Sequence, residues 1–193
     1  MKRCWWAGHH PLLSEYHDKE WGFPSHDDRV HFEFLILEAA QAGLSWLTVL
    51  KKRKGYKKHF ANFDYNKVLK FGESEIKRML KDPGIIRNDL KVRSAVSNAK
   101  PFITIRKEFG SFDNYLWSFV KGKAVQNTVR SAKDLVPSSS LSDAVSKDLK
   151  KRGFRFVGTT VIYSHLQAVG IINDHELSCF RREVCAAGRS KLK

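Results

Sequence analysis

The sequence lacks any run of about 18 consecutive apolar residues, the length that a membrane-spanning helix needs. Residues 1–13 include basic residues and two tryptophans but no sustained apolar stretch, so they do not resemble a secretory signal. Low-complexity tracts and internal repeats of solenoid length are absent as well. We therefore expect a globular cytoplasmic protein with no membrane association, and its 193 residues fit one domain.

Cysteine is scarce, and the chain holds three: Cys4, Cys179 and Cys185. An odd number cannot pair completely within one chain. In a cytoplasmic protein this favours free thiols or metal ligation over a disulfide framework. A single disulfide between Cys4 and Cys179 is the alternative.

Acidic residues are outnumbered, since 20 Asp and Glu stand against 35 Lys and Arg and leave a net charge of +15. Such an excess favours binding to a polyanion, because each neutralised phosphate releases condensed counterions. A basic surface without a partner would give the same composition. Charge alone therefore leaves both interpretations open.

Alternation of apolar and polar residues with period two is rare, whereas helical spacing recurs, so we expect an all-α fold. Asp27 or Asp28 caps a helix that runs to Ala42 and ends at Gly43, and Ser45 caps the next one. Further helices are predicted at 46–54 with a break at Gly55, and at 66–70, 74–80, 88–107, 112–120, 142–152 and 159–169.

The last two of these helices are joined by a short turn within LKKRGFRFVGTT, residues 149–160, which predicts a helical hairpin at about 142–170. Gly153 and Gly158 permit a positive φ or a close approach to a ligand. The helix that begins at Thr159 presents free N–H groups to an anion. Basic residues surround the turn: Lys150, Lys151, Arg152 and Arg155. A solvated basic corner is the alternative, but the motif resembles the helix-hairpin-helix of base-excision DNA glycosylases, which holds a backbone phosphate.

Cysteine and histidine, whose side chains can bind metals, occur near both ends of the chain. His175 and Cys179 are four positions apart and would share one face if the segment is helical, and Cys4 and His17 lie at the other end. Two Cys and two His complete a tetrahedral structural zinc site that would tie the segments 1–20 and 171–185 together. Other histidines could serve instead: His9, His10, His26 and His31.

Glu38 is the carboxylate that stands out, because it lies in the apolar run FLILEAA with no cation one helical turn away. Burying an ionised carboxylate without a partner costs free energy, so either the pKa of the carboxyl rises or a positively charged ligand binds next to it. A side chain turned to solvent, or paired with a distant Arg, is the alternative. Four of the five tryptophans also fall in the first 46 residues, as a base-stacking pocket would require: Trp5, Trp6, Trp21 and Trp46.

Many separated segments resemble the type I 3-methyladenine DNA glycosylase family, along nearly the whole chain. They are RCWW from residue 3, YHDKEWG from 16, LEAAQAGLSWLTVLKKR from 37, GIIRN from 84, WSFV from 117, LKKRGFRFVGTT from 149 and NDH from 173. The resemblance implies a monofunctional enzyme that releases 3-methyladenine from alkylated double-stranded DNA and leaves an abasic site. It also implies the helix-hairpin-helix glycosylase fold. No seam of a coiled coil is visible, and we expect a monomer.

The resemblance also implies roles for individual residues. Zinc ligands match Cys4, His17, His175 and Cys179. Pocket residues match Tyr16, Glu38 and Trp46, with Trp21 and Trp6 as further walls, and Glu38 is the catalytic candidate. Gly43 and Leu44 match the segment that fills the gap left by a flipped nucleotide.

Two departures bear on the activity. Leu13 stands where family members often have a pocket tyrosine, which removes a hydrogen bond and leaves a non-catalytic DNA- or nucleotide-binding module as the alternative function. Residues 159–172 contain no Asp or Glu, although many helix-hairpin-helix glycosylases place a catalytic Asp there; the type I family lacks it too. No lysine stands out as a Schiff-base nucleophile, so base release without strand cleavage is expected.

Overall fold

Helices dominate the computed structural model, which describes residues 1–188. The α-helices are α1 Pro11–Lys19, α2 Asp28–Gln41, α3 Trp46–His59, α4 Tyr65–Val68, α5 Glu73–Lys81, α6 Asp89–Ser97, α7 Ala99–Phe109, α8 Phe112–Ser118, α9 Ser140–Lys151, α10 Thr159–Ala168 and α11 Arg182–Ala186. Two short parallel strands, β1 Val125–Gln126 and β2 Ile172–Asn173, pair Val125 with Ile172. The expected all-α class is confirmed.

The centre of the molecule is α2, whose residues are apolar on nearly every side. Phe32, Leu37 and the residues between them are almost all buried, and the helix packs against α3, α6, α8 and α10. A helix that is apolar all round is buried rather than placed at the surface. Its C-terminal half therefore holds Glu38 inside the protein, in reach of several other elements.

The caps predicted around α2 are confirmed. The Asp27 side chain accepts a hydrogen bond from the Arg29 N–H at 2.8 Å, and the Ser45 hydroxyl accepts one from the Thr48 N–H at 3.2 Å. Each satisfies an N–H group that the first turn of a helix leaves free. The short connection 42–45 between α2 and α3 is exposed.

The break predicted at Gly55 is wrong, because α3 continues through it to His59. A Cβ atom at Gly55 would lie 2.1 Å from the carbonyl oxygen of Gly84. The glycine therefore serves a close approach between α3 and the loop before α6, and the rest of the helix outweighs its weak helical propensity.

The single helix predicted at 88–107 is also wrong, since it divides at Asn98 into α6 and α7. Pro101 has no N–H to bond the carbonyl of Ser97, and its ring would clash with that carbonyl in a continuous helix. The helix predicted at 142–152 begins two residues earlier, at Ser140, because Ser139 caps it: its hydroxyl accepts a hydrogen bond from the Ser142 N–H at 3.2 Å.

The helices α9 and α10 pack against each other, and α10 packs against α2. The turn at 152–158 is thereby joined to the same central helix that carries Glu38. Within residues 1–188, no helix combines the length and apolar character needed to cross a membrane.

Candidate active site and metal site

A cavity of about 480 Å³ opens beside the C-terminal half of α2. The tryptophans and Tyr16 predicted as pocket residues all line it, together with Glu38. The full lining is Trp5, Trp6, His9, Leu13, Tyr16, Trp21, Glu38, Gln41, Ser45, Trp46, Leu47, Leu135, Ser164 and Gln167.

Aromatic rings form most of the cavity wall. The ring centroids of Tyr16 and Trp46 are 5.2 Å apart, and those of Trp6 and Trp21 are 5.1 Å apart. Trp6 links the two pairs, at 6.3 Å from Tyr16. These separations lie in the range of favourable ring contacts, so the rings hold one another in place around an open space. The space offers flat apolar faces to a ligand.

Glu38 is the acidic residue that lines this cavity, and it is 4% exposed. Burial raises the pKa of its carboxyl to about 8, because the low-dielectric surroundings disfavour the ionised form. No charged group within residues 1–188 offsets this effect. Arg53, whose guanidinium lies over the Phe34 ring, donates to Glu20 at 2.8 Å and to Glu33 at 2.7 Å.

Burial also affects two further polar groups of the pocket, on Trp46 and Tyr16. The indole N–H of Trp46 is buried with no hydrogen-bond acceptor in the described part of the chain. Burial, with the nearby Glu38 carboxyl second, raises the pKa of the Tyr16 hydroxyl well above its ordinary value, so this group stays protonated. Buried polar groups without a partner are rare in proteins, and an acceptor on a bound ligand would satisfy the Trp46 N–H.

Several lining residues were not predicted as site residues. Gln41 lies one turn after Glu38, and Ser164 and Gln167 lie one turn apart on α10, so helical spacing could have indicated them. Leu135 gave no such signal. It lies in the loop before α9, which the pairing of β1 with β2 and the bridge between Val129 and Glu176 bring to the pocket.

The four predicted metal ligands lie together at a second buried site. The ligating atoms of Cys4, His17, His175 and Cys179 are all within 4.8 Å of one another. His175 and Cys179 do not share a helix as expected: both lie in the irregular segment after β2, which curls round so that the two side chains meet. Among residues 1–188 no cysteine forms a disulfide.

The spacing of these atoms fits a tetrahedral zinc ion. The sulfur of Cys179 is 3.3 Å from His17 Nε2 and 3.5 Å from His175 Nδ1, and the sulfur of Cys4 is 3.5 Å from the same Nδ1. Zinc–sulfur and zinc–nitrogen bonds of ordinary length, set at the tetrahedral angle, separate S from N by about 3.5 Å. The residues present therefore fit a structural metal.

Surrounding groups orient the ligands for this role. His17 Nδ1 lies 2.8 Å from Asp18 Oδ1, and His175 Nε2 lies 3.1 Å from the carbonyl oxygen of Trp21. Such outer contacts fix which ring nitrogen faces a metal. A hydrogen bond from the Cys4 thiol, with both imidazoles adding to it, holds the pKa of Cys179 well below its ordinary value, which favours the thiolate that binds metals.

The other histidines considered as ligands lie elsewhere. His10 caps α1 by accepting from the Leu12 N–H at 3.1 Å, and His9 lies at the aromatic cavity. His26 and His31 both contact Asp113, at 3.0 and 2.9 Å.

The turn between α9 and α10 keeps most of its predicted features. Gly153 has φ +94°, the left-handed region that favours glycine, but Gly158 has φ −61° and is simply the residue before α10; Phe156 takes the second positive φ, at +56°. Arg155 is exposed. Arg152 is not free, because its guanidinium donates to Glu108 at 2.6 Å and to Asp148 at 2.6 Å.

The sequence matches the family described as Methyladenine glycosylase over residues 6–182. The chain belongs to this family. The match spans both the aromatic cavity and most of the Cys/His cluster. As a methyladenine glycosylase family member it has relatives that align over more than nine-tenths of both sequences.

DNA-3-methyladenine glycosylase 1 of Escherichia coli (strain K12) is 44% identical over 179 residues, which are 93% of this chain and 96% of the relative. Among solved structures, the 3-methyladenine DNA glycosylase I of Staphylococcus aureus superposes with a TM-score of 0.90 at 35% identity, covering 94% of this chain and 97% of the other. A Y16F form of 3-methyladenine DNA glycosylase I in complex with 3-methyladenine gives 0.91 at 34% identity, with 94% and 98% covered.

Proposed function

We propose that this member of the methyladenine glycosylase family is a monofunctional DNA glycosylase that hydrolyses the N-glycosidic bond of 3-methyladenine in alkylated double-stranded DNA. The bond between the base and C1′ of the sugar breaks, and its electron pair stays with the base. The oxygen of a water molecule bonds to C1′, and the water loses a proton. Free 3-methyladenine and an abasic site are the products, and the strand is not cut.

The observation that carries this proposal is the unpaired carboxyl of Glu38 in an aromatic cavity. An adenine methylated at N3 carries positive charge while it is attached to its sugar. That charge compensates the buried carboxylate, and the electron-poor ring stacks on aromatic faces. Normal adenine is neutral and gains neither effect, so the pocket selects the damaged base by charge as well as by shape.

Tyr16, Trp46, Trp21 and Trp6 form the walls against which the base packs. The ring separations given above leave the cavity open between them, and stacking on an aromatic side chain is worth about 1–3 kcal/mol per base. The indole N–H of Trp46 has no acceptor within residues 1–188, so it is a donor available to the base. Two solved structures of 3-methyladenine DNA glycosylase I carry the substitutions Y16F, in a complex with 3-methyladenine, and E38Q, and the present chain has Tyr16 and Glu38 at the same numbers.

Catalysis by this pocket needs little acid assistance, because a cationic base is already a good leaving group. Positive charge moves toward C1′ as the bond lengthens, and the Glu38 carboxylate stabilises it in a cavity of low dielectric. We assign to the same carboxylate the proton that the attacking water releases. No other carboxylate lines the cavity in the described residues.

For the DNA backbone we propose two contact segments. Gly43 and Leu44, in the exposed connection between α2 and α3, fill the space of the flipped nucleotide. The helix-hairpin-helix formed by α9 and α10 holds a phosphate through residues 153–159, where Gly158 and the N-terminus of α10 at Thr159 offer backbone N–H groups. Gly153 shapes the turn with its positive φ, and its own N–H is donated to the Lys150 carbonyl oxygen at 3.0 Å. Arg155 supplies the positive charge at this turn, and the paired Arg152 does not.

We further propose that Cys4, His17, His175 and Cys179 hold one structural zinc ion. Four protein ligands leave no open position for a substrate, so the ion closes the link between the two chain ends and takes no part in the reaction. It stabilises the first turns of the chain, which carry Trp6 and Tyr16 into the pocket.

Release of base from methylated DNA tests the proposed function. The purified protein is incubated with DNA treated with a methylating agent, and free 3-methyladenine and strand breaks are measured. We expect base release, abasic sites and intact strands. Glu38→Gln should lower the rate about 100-fold or more, since groups that stabilise developing charge contribute on that scale. Glu15→Gln, at an exposed carboxylate on α1, is the control. DNA binding without any released base would instead support a non-catalytic module.

A further inference from the structure

The two segments that the proposed function assigns to DNA come from distant parts of the sequence. The connection 42–45 follows α2, and the turn 153–158 lies more than one hundred residues later. Both are short and irregular; the connection 42–45 is exposed throughout, and the turn exposes Gly153 and Arg155 while Phe154 and Val157 are buried. To bind one duplex together, they must keep a fixed separation, because phosphates along a strand are spaced regularly.

Lys91 holds the first segment. Its ammonium group donates to the carbonyl oxygen of Ala40 at 2.9 Å and to that of Ala42 at 2.6 Å. These carbonyls belong to the last turn of α2, where the helix leaves its acceptors free. Ala42 immediately precedes Gly43 and Leu44, so the ammonium fixes the backbone from which the exposed connection begins.

Asn98 holds the second segment. Its amide nitrogen donates to the carbonyl oxygen of Arg155 at 2.9 Å, and its amide oxygen accepts from the Arg155 N–H at 2.9 Å. Asn98 is buried, with 3% of its surface exposed. One side chain thus satisfies both backbone groups of the residue at the centre of the α9–α10 turn, next to Phe156 with its positive φ.

Both holding residues belong to one short rigid element. Lys91 lies in the first turn of α6, and Asn98 is the residue that ends it. They are seven positions apart, so they lie on the same side of the helix about 10.5 Å from each other along its axis. Two surface segments that are distant in the sequence are therefore attached, through side-chain hydrogen bonds to their backbones, to the two ends of one helix, in addition to the packing of α10 against α2.

We infer that α6 sets the distance between the two DNA-contacting segments, with Lys91 and Asn98 as its positioning residues. The inference rests on the proposed function, which assigns these segments to DNA. Neither side chain lines the aromatic cavity. Removing either one should therefore weaken the grip on DNA and leave the affinity for the free base unchanged. If these side chains served only in folding, removing them would lower thermal stability and would change the affinities for DNA and for the free base to the same extent.

The test compares two affinities in the same variants. Binding to a duplex that contains a tetrahydrofuran abasic-site analogue is measured by anisotropy, and binding of free 3-methyladenine by quenching of tryptophan fluorescence. Lys91→Met and Asn98→Ala remove the contacts, and Lys91→Arg keeps a donor that can reach the carbonyls. Asn98→Asp keeps the size and the acceptor and serves if the alanine variant does not fold. Lys100→Met and Ser97→Ala, at exposed positions on α7 and α6, are the matched controls.

We expect Lys91→Met and Asn98→Ala each to raise Kd for the duplex about tenfold, with Kd for the free base within twofold of the wild type, and Lys91→Arg to restore most of the DNA affinity. In the variant that combines Lys91→Met and Asn98→Ala, Kd for the duplex should rise by less than the product of the two single increases. Loss of either attachment is already enough to let the distance between the two segments vary. Duplex affinities equal to those of the controls would overturn the inference, as would a parallel loss of base affinity. Failure of the wild type to release base counts against the proposed function instead, and these DNA affinities still decide the role of α6.

Discussion

The aromatic cavity and the Cys/His cluster are both buried and both contain ionisable groups, yet they differ in how those groups are satisfied. At the cluster, each imidazole has a contact at both nitrogens: His17 with Cys179 and Asp18, and His175 with Cys179 and the Trp21 carbonyl. At the cavity, no charged group within residues 1–188 stabilises the ionised form of the Glu38 carboxyl, and the Trp46 N–H has no hydrogen-bond acceptor there.

We interpret this difference as that between a proposed structural site and a proposed binding site. A cluster whose groups are all directed at one another, with ligand spacing suited to a metal, contributes to stability. A carboxyl left without a partner costs stability and is retained where a ligand compensates it. The comparison predicts opposite consequences for removing the ionisable groups of the two sites.

The largest effect is expected at the cluster. Cys4→Ser removes one of the four proposed zinc ligands. Since binding of a structural zinc contributes on the order of 10 kcal/mol to folding, we expect loss of the proposed metal and a fall in the free energy of unfolding of about 5 kcal/mol or more. Zinc content by elemental analysis and urea unfolding measure both. Removing the metal from the wild type with a chelator should have the same effect.

Cys185→Ser is the matched control, because this cysteine is equally buried and lies outside the four ligands. It should keep the metal and lose only about 1–2 kcal/mol, as for an ordinary polar change in a core. Equal losses in the two variants would remove the distinction between ligand and core cysteine.

A smaller effect of opposite sign is expected at the cavity. Since the pKa of Glu38 is about 8 in the folded protein and about 4.5 when unfolded, the unfolded state releases this proton first as pH rises. The folded state is therefore destabilised between pH 4.5 and 8, by at most about 1.4 kcal/mol per pH unit, and not further above pH 8. Glu38→Gln should accordingly be more stable than the wild type by about 2–4 kcal/mol at pH 8, and equal to it near pH 4.5.

Urea unfolding of both proteins from pH 5 to 8.5 measures this difference. Glu15→Gln serves again as the control, because an exposed carboxyl paired with Lys19 should show no such trend. If Glu38→Gln were less stable than the wild type at pH 8, the carboxyl would have a partner that compensates it, and the contrast between the two sites would be lost.

The sequence predicts those parts of the protein whose structure depends on residues close together in the chain. The caps Asp27 and Ser45 act on N–H groups two or three residues away, so the ends of α2 and the start of α3 could be recognised. Glu38 stood out because its helical neighbours are apolar. The four Cys and His residues were found by their chemistry, although the expected helix at 175–179 is not formed.

What the sequence could not predict depends on contacts between distant segments. Gly55 was predicted to end a helix, because the sequence does not show that the carbonyl of Gly84 packs against it. Arg152 was predicted among the basic residues around the phosphate-binding turn, because the sequence does not show its ion pair with Glu108 on a different helix. Lys91 and Asn98 carry no pattern of their own, since their partners are backbone atoms about fifty residues away or more.

The most direct test of the central claim is the titration of the Glu38 carboxyl itself. Its ¹³C chemical shift is followed with pH in the free protein and in a complex with a duplex that holds one 3-methyladenine on a 2′-fluorinated sugar, which slows base release. An unpaired carboxyl that receives a cation should titrate near pH 8 in the free protein. It should remain ionised to much lower pH in the complex. A carboxyl that titrates near 4.5 in the free protein, or whose pKa is the same with and without the damaged duplex, would contradict this account.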